Sequence, residues 1–285
     1  MSCSKCNDTG WFPEYFDGVR RVERCECWRA NVARKMVSRA RIPSRYHQCD
    51  FSTFITYPNE ELVRAVKQAR EFAATFPAVD KGLIFIGPPG IGKTHLAVSV
   101  LKEVTEKNGV RGVYYDTRSL LSTIKSTYNP VTRASEADVL EEVMGAELLI
   151  LDDLGAERLT DWVEETMNLI VNTRYNDRLA TVFTSNYEGV PDRDNMESLL
   201  VRVGARMYSR LREMCNFLEF TGPDYRGFDN SPNSKELFQQ WKSNPSKAGS
   251  ALPARTRARA RARLRETSRE GQLELGWSGG KAGSS

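Results

Sequence analysis

The feature that most constrains the fold is an octet, Gly87-Pro88-Pro89-Gly90-Ile91-Gly92-Lys93-Thr94. Its spacing, G-x-x-x-x-G-K-[ST], is that of the phosphate-binding P-loop. Residues 82–86 precede it as a short apolar stretch that predicts a buried strand, and residues 95–104 follow it with apolar side chains at helical spacing. Strand, glycine loop and helix in this order are the context that the motif requires. The sequence therefore predicts a nucleoside triphosphate site.

The residue types of the octet suit the chemistry of a phosphate chain. Glycines let successive backbone N–H groups turn inward around phosphate oxygens, and the start of the following helix adds unpaired donors and a positive dipole end. Lys93 can reach the β- and γ-phosphates, and the Thr94 hydroxyl can ligate Mg²⁺. The nucleotide-binding residues are thus expected to run from Gly87 to His95. An accidental glycine-rich turn is the alternative, which the correct flanks disfavour.

Two adjacent carboxylates, Asp152 and Asp153, end an apolar run over residues 148–151. Ligand sites in such sheets lie at the carboxyl ends of strands, so both side chains are expected to face the P-loop. The pattern is that of a Walker B segment. Asp152 would hold the bound Mg²⁺ or its water, and Asp153 would orient the attacking water or accept its proton. An acidic turn at a strand end is the alternative, and the order of the two motifs disfavours it.

Three further residues are candidates for a part in hydrolysis. Asn186 ends the next strand, where an uncharged amide can orient the water or a γ-phosphate oxygen, although a strand-end Asn is also typical of a plain turn. Arg206 and Arg210 lie four residues apart on a predicted helix and share a face. They are either salt-bridged surface residues or an arginine finger that reaches the γ-phosphate of a neighbouring subunit.

Short apolar strands that alternate with helices predict the fold class, an α/β protein with a parallel sheet covered by helices on both faces. The folded body is expected to end near Arg226, and residues 236–241 form a short amphipathic piece in the linker that follows. The predicted strands are residues 82–86, 112–116, 148–153, 180–186 and 216–220. The predicted helices are residues 29–41, 60–75, 95–104, 119–128, 136–144, 161–179 and 195–214.

Four of the six cysteines fall within the first 27 residues, as C-x₂-C at Cys3 and Cys6 and as C-x-C at Cys25 and Cys27. A cytosolic chain keeps such thiols reduced, which favours a metal over a disulfide. Two tight knuckles can bring four thiolates to one tetrahedral Zn²⁺. We expect a small zinc-binding module with a hairpin at residues 10–18 between the knuckles. A cluster of free or redox-active thiols is the alternative.

Composition restricts the class of protein. The 285 residues contain no apolar run near the roughly 18 residues that a membrane span needs, and the N-terminus lacks a signal-peptide core. We expect a soluble, cytoplasmic protein with no membrane partner. The formal net charge is +4, but residues 252–285 hold eight Lys/Arg against three Glu, which leaves about −1 for the rest. This Arg/Ala tail is expected to be disordered, and it either touches nucleic acid or is merely solvated.

The order of these features resembles that of a known family. Over about residues 1–226 the chain resembles the DnaC/DnaI group of AAA+ replicative-helicase loaders, with the IstB transposition ATPases as near relatives. The motifs that carry the resemblance follow the cysteines; they are Phe51-Ser52-Thr53-Phe54, Gly-Lys-Thr-His-Leu-Ala at 92–97, Leu-Leu-Ile-Leu-Asp-Asp-Leu-Gly at 148–155, Asn172-Thr173-Arg174-Tyr175, Thr-Ser-Asn at 184–186 and Ser209-Arg210-Leu211.

The resemblance implies an AAA+ P-loop ATPase core whose five-stranded parallel sheet is ordered 5-1-4-3-2, with no separate helical lid domain after the fifth strand. It implies Asn186 as sensor 1 and Arg210 as the finger, with Arg206 as its substitute. Asp153 stands where many AAA+ enzymes have Glu, which is compatible with slow turnover. An insertion at 118–144 would contact single-stranded DNA, although solvated helix faces carry the same residue types. Its candidate contacts are Arg118, Lys125, Tyr128 and Arg133.

The function that the resemblance implies is ATP-dependent loading of a hexameric replicative DNA helicase during replication initiation. ATP would drive self-assembly and hydrolysis would release the helicase, with ATP, Mg²⁺ and Zn²⁺ as cofactors. Residues 1–50 would be the zinc-binding module that grips the helicase, residues 51–226 the AAA+ ATPase domain, and residues 227–285 a linker and tail. An IstB-type transposition helper is the alternative, against which the cysteine module argues. A non-hydrolysing ATP-binding adaptor is a third hypothesis, against which the intact carboxylate pair argues.

Overall fold

The computed structural model describes residues 3–243, except residues 8, 17–18, 128–134 and 159. Two of the expected DNA contacts, Tyr128 and Arg133, lie outside the described residues, as does the Arg/Ala tail. No helix in the described ranges combines the length and the apolar character that crossing a bilayer requires.

Seven strands and nine α-helices make up the part of the chain that the structure describes. The strands are β1 (Trp11–Phe16), β2 (Val19–Arg24), β3 (Gly82–Ile86), β4 (Gly112–Asp116), β5 (Leu148–Asp152), β6 (Ala180–Ser185) and β7 (Cys215–Glu219). The helices are α1 (Glu26–Arg39), α2 (Glu60–Thr75), α3 (Lys93–Asn108), α4 (Thr117–Ser126), α5 (Glu136–Gly145), α6 (Asp161–Asn176), α7 (Leu199–Val203), α8 (Ala205–Met214) and α9 (Ser234–Ser243).

The five strands β3 to β7 form one parallel sheet in the order β4-β5-β6-β3-β7. Numbered one to five along the chain, these strands have the order 5-1-4-3-2, which confirms the expectation. Side chains alternate between the two faces of a strand, so Leu83 and Phe85 of β3 enter one core and Ile84 and Ile86 enter the other. Every residue of β3 and β5 is buried, which explains why these strands are almost continuously apolar, whereas the edge strand β7 leaves Asn216 and Glu219 exposed.

Two helical layers cover the sheet. One core cluster contains buried side chains of α2, α3 and α9, and the other contains side chains of α4 to α8. Polar caps set several helix starts: the Asn59 side chain accepts two backbone N–H groups at the start of α2, and Ser135 and Asp138 form a capping box at the start of α5. The sequence therefore locates these helices well, because their starting signals are local.

The prediction of a single helix at residues 195–214 is wrong. The chain forms α7 and α8 instead, separated by Gly204, whose φ is 81°. This left-handed conformation interrupts the regular helix and is one that glycine adopts at little cost. The helix expected at 161–179 also ends early, at Asn176, where the chain turns into β6.

The segment after the cysteines packs against the sheet-and-helix body. Helix α1 starts at Glu26, earlier than expected, and packs against α3 and β4. Ala40 and Ile42 are buried in the first core cluster, and the Ala40 carbonyl accepts the Tyr114 backbone N–H at 2.8 Å. The expected division at residue 50 therefore does not coincide with a break in packing.

Packing also continues past Arg226, the expected end of the folded body. Leu237 of α9 is only 4% exposed, and Phe238 and Trp241 pack against the same core cluster. The reason is that the short amphipathic piece seen in the sequence places its apolar residues on one helical face, and the helix packs against Thr56 and Tyr57, just before α2.

Candidate functional site

A cavity of about 690 Å³ lies at the carboxyl ends of the parallel strands. Its lining brings together most of the residues that the sequence predicted for nucleotide binding. From the P-loop and α3 these are Pro89, Gly90, Ile91, Gly92, Lys93, Thr94 and His95, and from the strand ends they are Asp152, Asp153 and Asn186. Gly87 and Pro88 do not line the cavity, but their carbonyl groups hold the P-loop lysine from behind.

Lys93 is buried and fully hydrogen-bonded. Its ammonium donates to the carbonyl oxygens of Gly87 and Pro88, both at 2.8 Å, and to Asn186 Oδ1 at 2.7 Å. Burial lowers the pKa of Lys93 to about 8, against the opposing effect of Asp152. Phosphate oxygens are stronger acceptors for an ammonium than neutral carbonyls are. Lys93 is thus placed to replace its hydrogen bonds to neutral carbonyl oxygens with hydrogen bonds to phosphate oxygens when a triphosphate binds.

The Asp152 carboxylate accepts hydrogen bonds from three hydroxyl groups. Thr94 Oγ1 donates to Asp152 Oδ1 at 2.9 Å, Thr184 Oγ1 donates to the same oxygen at 2.6 Å, and the Tyr114 hydroxyl donates to Oδ2 at 2.6 Å. Mg²⁺ prefers oxygen ligands. The Thr94 hydroxyl and the Asp152 carboxylate, side by side next to the P-loop, fit the expected magnesium site. Tyr114 and Thr184 fix the orientation of the carboxylate, a role that the sequence did not predict.

Asp153 has an unusual backbone and a specific partner. Its φ is 59°, in the left-handed region that costs a non-glycine residue on the order of 1–3 kcal/mol. This conformation turns its carboxylate toward Asn186, whose Nδ2 donates to Asp153 Oδ1 at 2.6 Å. Burial raises the pKa of Asp153, and the charge of Arg118 acts in the opposite direction. The pair has the polar groups needed to position a water molecule and take its proton.

His95 lines the cavity and also holds the segment at residues 50–54, which contributes to an adjacent part of the lining. Its Nε2 lies 2.9 Å from the Asp50 carbonyl oxygen, and its ring meets the Phe54 ring edge-on with centroids 5.2 Å apart. Lys102 holds the same segment through an ion pair with Asp50 at 2.6 Å. Residues 53–55 belong to the cavity lining. His95 therefore fastens the segment that precedes α2 to the helix that follows the P-loop.

The two candidate fingers lie on α8 and do not line the cavity of their own chain. Arg206 is exposed, and Arg210 donates from Nη1 to the Arg206 carbonyl oxygen at 3.3 Å. The structure therefore offers no role for either guanidinium at the nucleotide site of the same subunit. A role toward a neighbouring subunit stays a prediction.

Arg118 and Lys125, the two described residues among the expected DNA contacts, are exposed on α4. Arg118 donates to the Ala156 carbonyl oxygen at 2.6 Å through Nη2, which ties α4 to the loop after Asp153. These positions leave both residues at the surface, and DNA contact stays a prediction.

Sequence reasoning missed two cations of the cavity lining, Arg45 and Arg226. Arg226 lies in the lining beside Tyr225, and its charge helps burial to lower the pKa of Lys93. Tyr225 fastens the segment by donating its backbone N–H to the Gly90 carbonyl at 3.0 Å. The φ of Gly90, 82°, favours glycine, and a Cβ there would lie 1.7 Å from Asp224 Oδ1 and would displace this carboxylate. The only sequence signal was an Asp-Tyr-Arg triplet soon after the last strand.

The four cysteines of the N-terminal segment form one cluster. Their sulfur atoms all lie within 4.8 Å of one another, with Cys3 and Cys25 3.7 Å apart and Cys6 and Cys27 3.2 Å apart. Tetrahedral zinc with Zn–S bonds of about 2.3 Å requires sulfurs roughly 3.8 Å apart. The four residues fit a structural zinc site, as expected from their spacing.

Comparison with known proteins agrees with this geometry. Residues 21–227 match the family model of the IstB-like ATP binding proteins. The chain is 28% identical over 187 residues to the replicative helicase loader DnaC of Buchnera aphidicola subsp. Baizongia pistaciae, which covers 65% of this chain and 72% of that protein. It is 24% identical over 226 residues to the phage-like element PBSX protein XkdC of Bacillus subtilis, covering 75% of this chain and 79% of that protein.

A solved structure gives the same result. The crystal structure of the DnaC helicase loader aligns with a TM-score of 0.56 and 36% sequence identity, over 62% of this chain and 99% of that chain. The family model, which spans residues 21–227, includes every residue that the sequence predicted for the nucleotide site.

Proposed function

Because this chain belongs to the IstB-like ATP binding protein family and is of the DnaC type, we propose that it uses ATP to deliver a replicative DNA helicase onto DNA. The observation that carries the proposal is the convergence of five groups in one cavity: Lys93, Thr94, Asp152, Asp153 and Asn186. The family supports ATP binding, and the DnaC relatives support a role in replication.

In the proposed reaction the chain's own residues bind and orient. Lys93 pairs with the phosphate chain, and Arg45 and Arg226 add positive charge at the same cavity. Thr94 and Asp152 would hold Mg²⁺, which neutralises phosphate charge when bound. Asp153 accepts the proton of the attacking water at a carboxylate oxygen, and the Asn186 amide keeps that carboxylate in place.

Assembly is proposed to complete the site. Arg210, or Arg206 as its substitute, would reach the γ-phosphate of a neighbouring subunit and stabilise the charge of the transition state. Arg206 is exposed, Arg210 is half-buried, and neither lines the cavity of its own subunit, which suits an action between subunits. Contact of Arg118 and Lys125 with single-stranded DNA would couple the assembly to the strand that receives the helicase.

The four-cysteine module is proposed as the grip on the helicase. Bound zinc would fix the hairpin of β1 and β2 relative to α1, because Cys6 precedes the hairpin and Cys25 and Cys27 follow it. Trp11, Val22 and Trp28 place substantial apolar surface there, being 42%, 60% and 38% exposed. Aromatic side chains such as these two tryptophans are enriched at protein interfaces.

The test is co-elution with the replicative helicase of the same organism on size-exclusion chromatography, with and without ATP. Deletion of residues 1–50 is unsuitable because Ala40 and Ile42 belong to the core. The sharper variant is Cys27→Ser, with Ser4→Ala, an exposed residue between two of the cysteines, as the matched control.

We expect the wild type and Ser4→Ala to co-elute with the helicase in ATP, and Cys27→Ser to lose the complex while still binding ATP. A wild-type chain that binds ATP but not the helicase would contradict the proposal. Recovery of a transposase complex in its place would favour the IstB-type alternative.

A further inference from the structure

We propose that α9 forms the part of the nucleotide cavity that receives the base, so that this C-terminal helix helps to set affinity for the nucleoside. The inference rests on the proposed binding of ATP in the cavity and adds a residue set outside the family match. The family model ends at residue 227, whereas α9 begins at Ser234.

The cavity lining contains two chemically distinct sets of residues. The polar set is formed by the P-loop, Asp152, Asp153 and Asn186, which are tied to one another by the hydrogen bonds described above. The apolar set consists of Ile55, Tyr57, Leu62, Ile91 and Leu237. Because the phosphates are expected to bind at the P-loop, we infer that the apolar residues contact the flat, largely apolar base.

Leu237 reaches the cavity because α9 is anchored to the segment that precedes α2. The Ser234 hydroxyl donates to the Thr56 carbonyl oxygen at 2.7 Å, and the rings of Trp241 and Tyr57 lie with centroids 6.2 Å apart. Leu237 itself is 4% exposed and still belongs to the cavity lining. The helix is thus a built wall of the cavity.

Tyr57 connects this wall to the segment after β7, the strand that pairs with β3. Its hydroxyl donates to the Thr221 carbonyl oxygen at 3.4 Å, and the Asn59 amide donates to the same oxygen at 2.8 Å. Thr221 follows β7, which pairs with β3 directly before the P-loop. The base wall and the phosphate loop are therefore held by one continuous set of contacts.

The experiment compares two probes on the full chain: MgATP, which has a base, and magnesium tripolyphosphate, which has none. Both are measured by competition with a fluorescent ATP analogue. The variant is Leu237→Ala, which removes the side chain from the wall. The matched control is Gln239→Ala, an exposed residue of the same helix, and thermal unfolding checks that each variant is folded.

We expect Leu237→Ala to weaken the binding of MgATP by about three- to tenfold, since it removes an apolar contact with the base. Its tripolyphosphate affinity should stay within about twofold of the wild type, and Gln239→Ala should change neither. Equal weakening of both probes, or no weakening of MgATP, would overturn the inference. Failure of the wild type to bind either probe would instead contradict ATP binding itself.

Hydrogen exchange on the wild type gives a second test that needs no variant. MgATP should slow amide exchange within residues 234–243, whereas tripolyphosphate at the same occupancy should leave these amides unchanged. Identical exchange of α9 with both probes would overturn the inference even if Leu237→Ala does not fold.

Discussion

The Asn186 amide donates to the Asp153 carboxylate across 2.6 Å, from the end of β6 to the residue that follows β5. The oxygen of the same amide accepts a hydrogen bond from the Lys93 ammonium at 2.7 Å. One neutral side chain therefore joins the P-loop cation to the carboxylate assigned as the proton acceptor. An amide can do this because it carries a donor and an acceptor on one planar group.

Replacing Asn186 with Ala should lower ATP turnover on the order of 100-fold while changing ATP affinity only a few-fold, since the amide orients the reacting groups more than it holds the nucleotide. Steady-state hydrolysis and equilibrium binding measure the two effects. Asn195→Ala, whose amide bonds Glu188 outside the cavity, is the control. Comparable loss of binding and turnover would count against this role.

Replacing Asp153 with Asn should abolish measurable hydrolysis and leave ATP binding intact, because an amide cannot accept the proton of the attacking water. Burial raises the pKa of Asp153, and the protonated form is inactive as a base. Wild-type activity should therefore rise with pH through a value above that of an ordinary aspartic acid. The exposed variant Asp80→Asn should behave like the wild type. Full turnover by Asp153→Asn would show that the base is another group.

ATP binding should take up protons near pH 8. The pKa of Lys93 is lowered to about 8 by burial, so part of the population is neutral there. Phosphate oxygens favour the charged ammonium, which raises this pKa in the complex. Affinity should consequently fall as pH rises from about 7 to 10. Calorimetry in two buffers of different ionisation enthalpy measures the uptake.

The control for this proton uptake is Lys93→Arg, since a guanidinium stays protonated throughout this range. That variant should bind ATP, if more weakly, without proton uptake near pH 8. The same proton uptake in Lys93→Arg as in the wild type would assign the titration to a different group.

Purified chain should contain equimolar zinc, and Cys27→Ser should lose most of it. Metal analysis after dialysis measures this directly, with Ser4→Ala as the variant that keeps the metal. Because α1 starts at the cysteine cluster and packs on α3, loss of zinc should also lower the unfolding temperature by a few degrees. A metal-free wild type with four reactive thiols would favour the redox alternative.

Arg174, the arginine of α6, is expected to contribute more to stability than an exposed arginine does. Its buried guanidinium donates to Thr181 Oγ1 at 2.8 Å and to the Ala146 and Ala180 carbonyl oxygens at 2.8 and 2.6 Å. Arg174→Ala leaves these acceptors unpaired and should cost on the order of 3 kcal/mol of unfolding free energy. Urea denaturation measures it. The exposed Arg193→Ala should cost under about 0.5 kcal/mol, and equal losses would contradict the assignment.

Much of the fold could be predicted because its signals are local. The strands of the sheet are short apolar runs, the P-loop follows a fixed spacing, and side-chain caps such as Asn59 mark helix starts. The resemblance to the helicase loaders supplied the strand order, which the chain confirms. The division of 195–214 by Gly204 was missed because a glycine within an otherwise helical pattern does not by itself reveal its backbone angle.

The parts that could not be predicted depend on contacts between distant residues. Tyr114 reaches Asp152 across neighbouring strands, and Arg226 enters the cavity because Tyr225 bonds to the P-loop. Helix α9 has an amphipathic pattern too short to show what it packs on. Its role follows only once Tyr57 and Trp241 are seen together.

The most direct test of the account is a loading assay with the replicative helicase of the same organism, circular single-stranded DNA coated with single-strand binding protein, and ATP. We predict that the wild-type chain transfers the helicase onto the circle, and that Lys93→Ala, which lacks the phosphate-binding ammonium, does not. Loading that is equally efficient with Lys93→Ala, or without any nucleotide, would contradict an ATP-dependent loader.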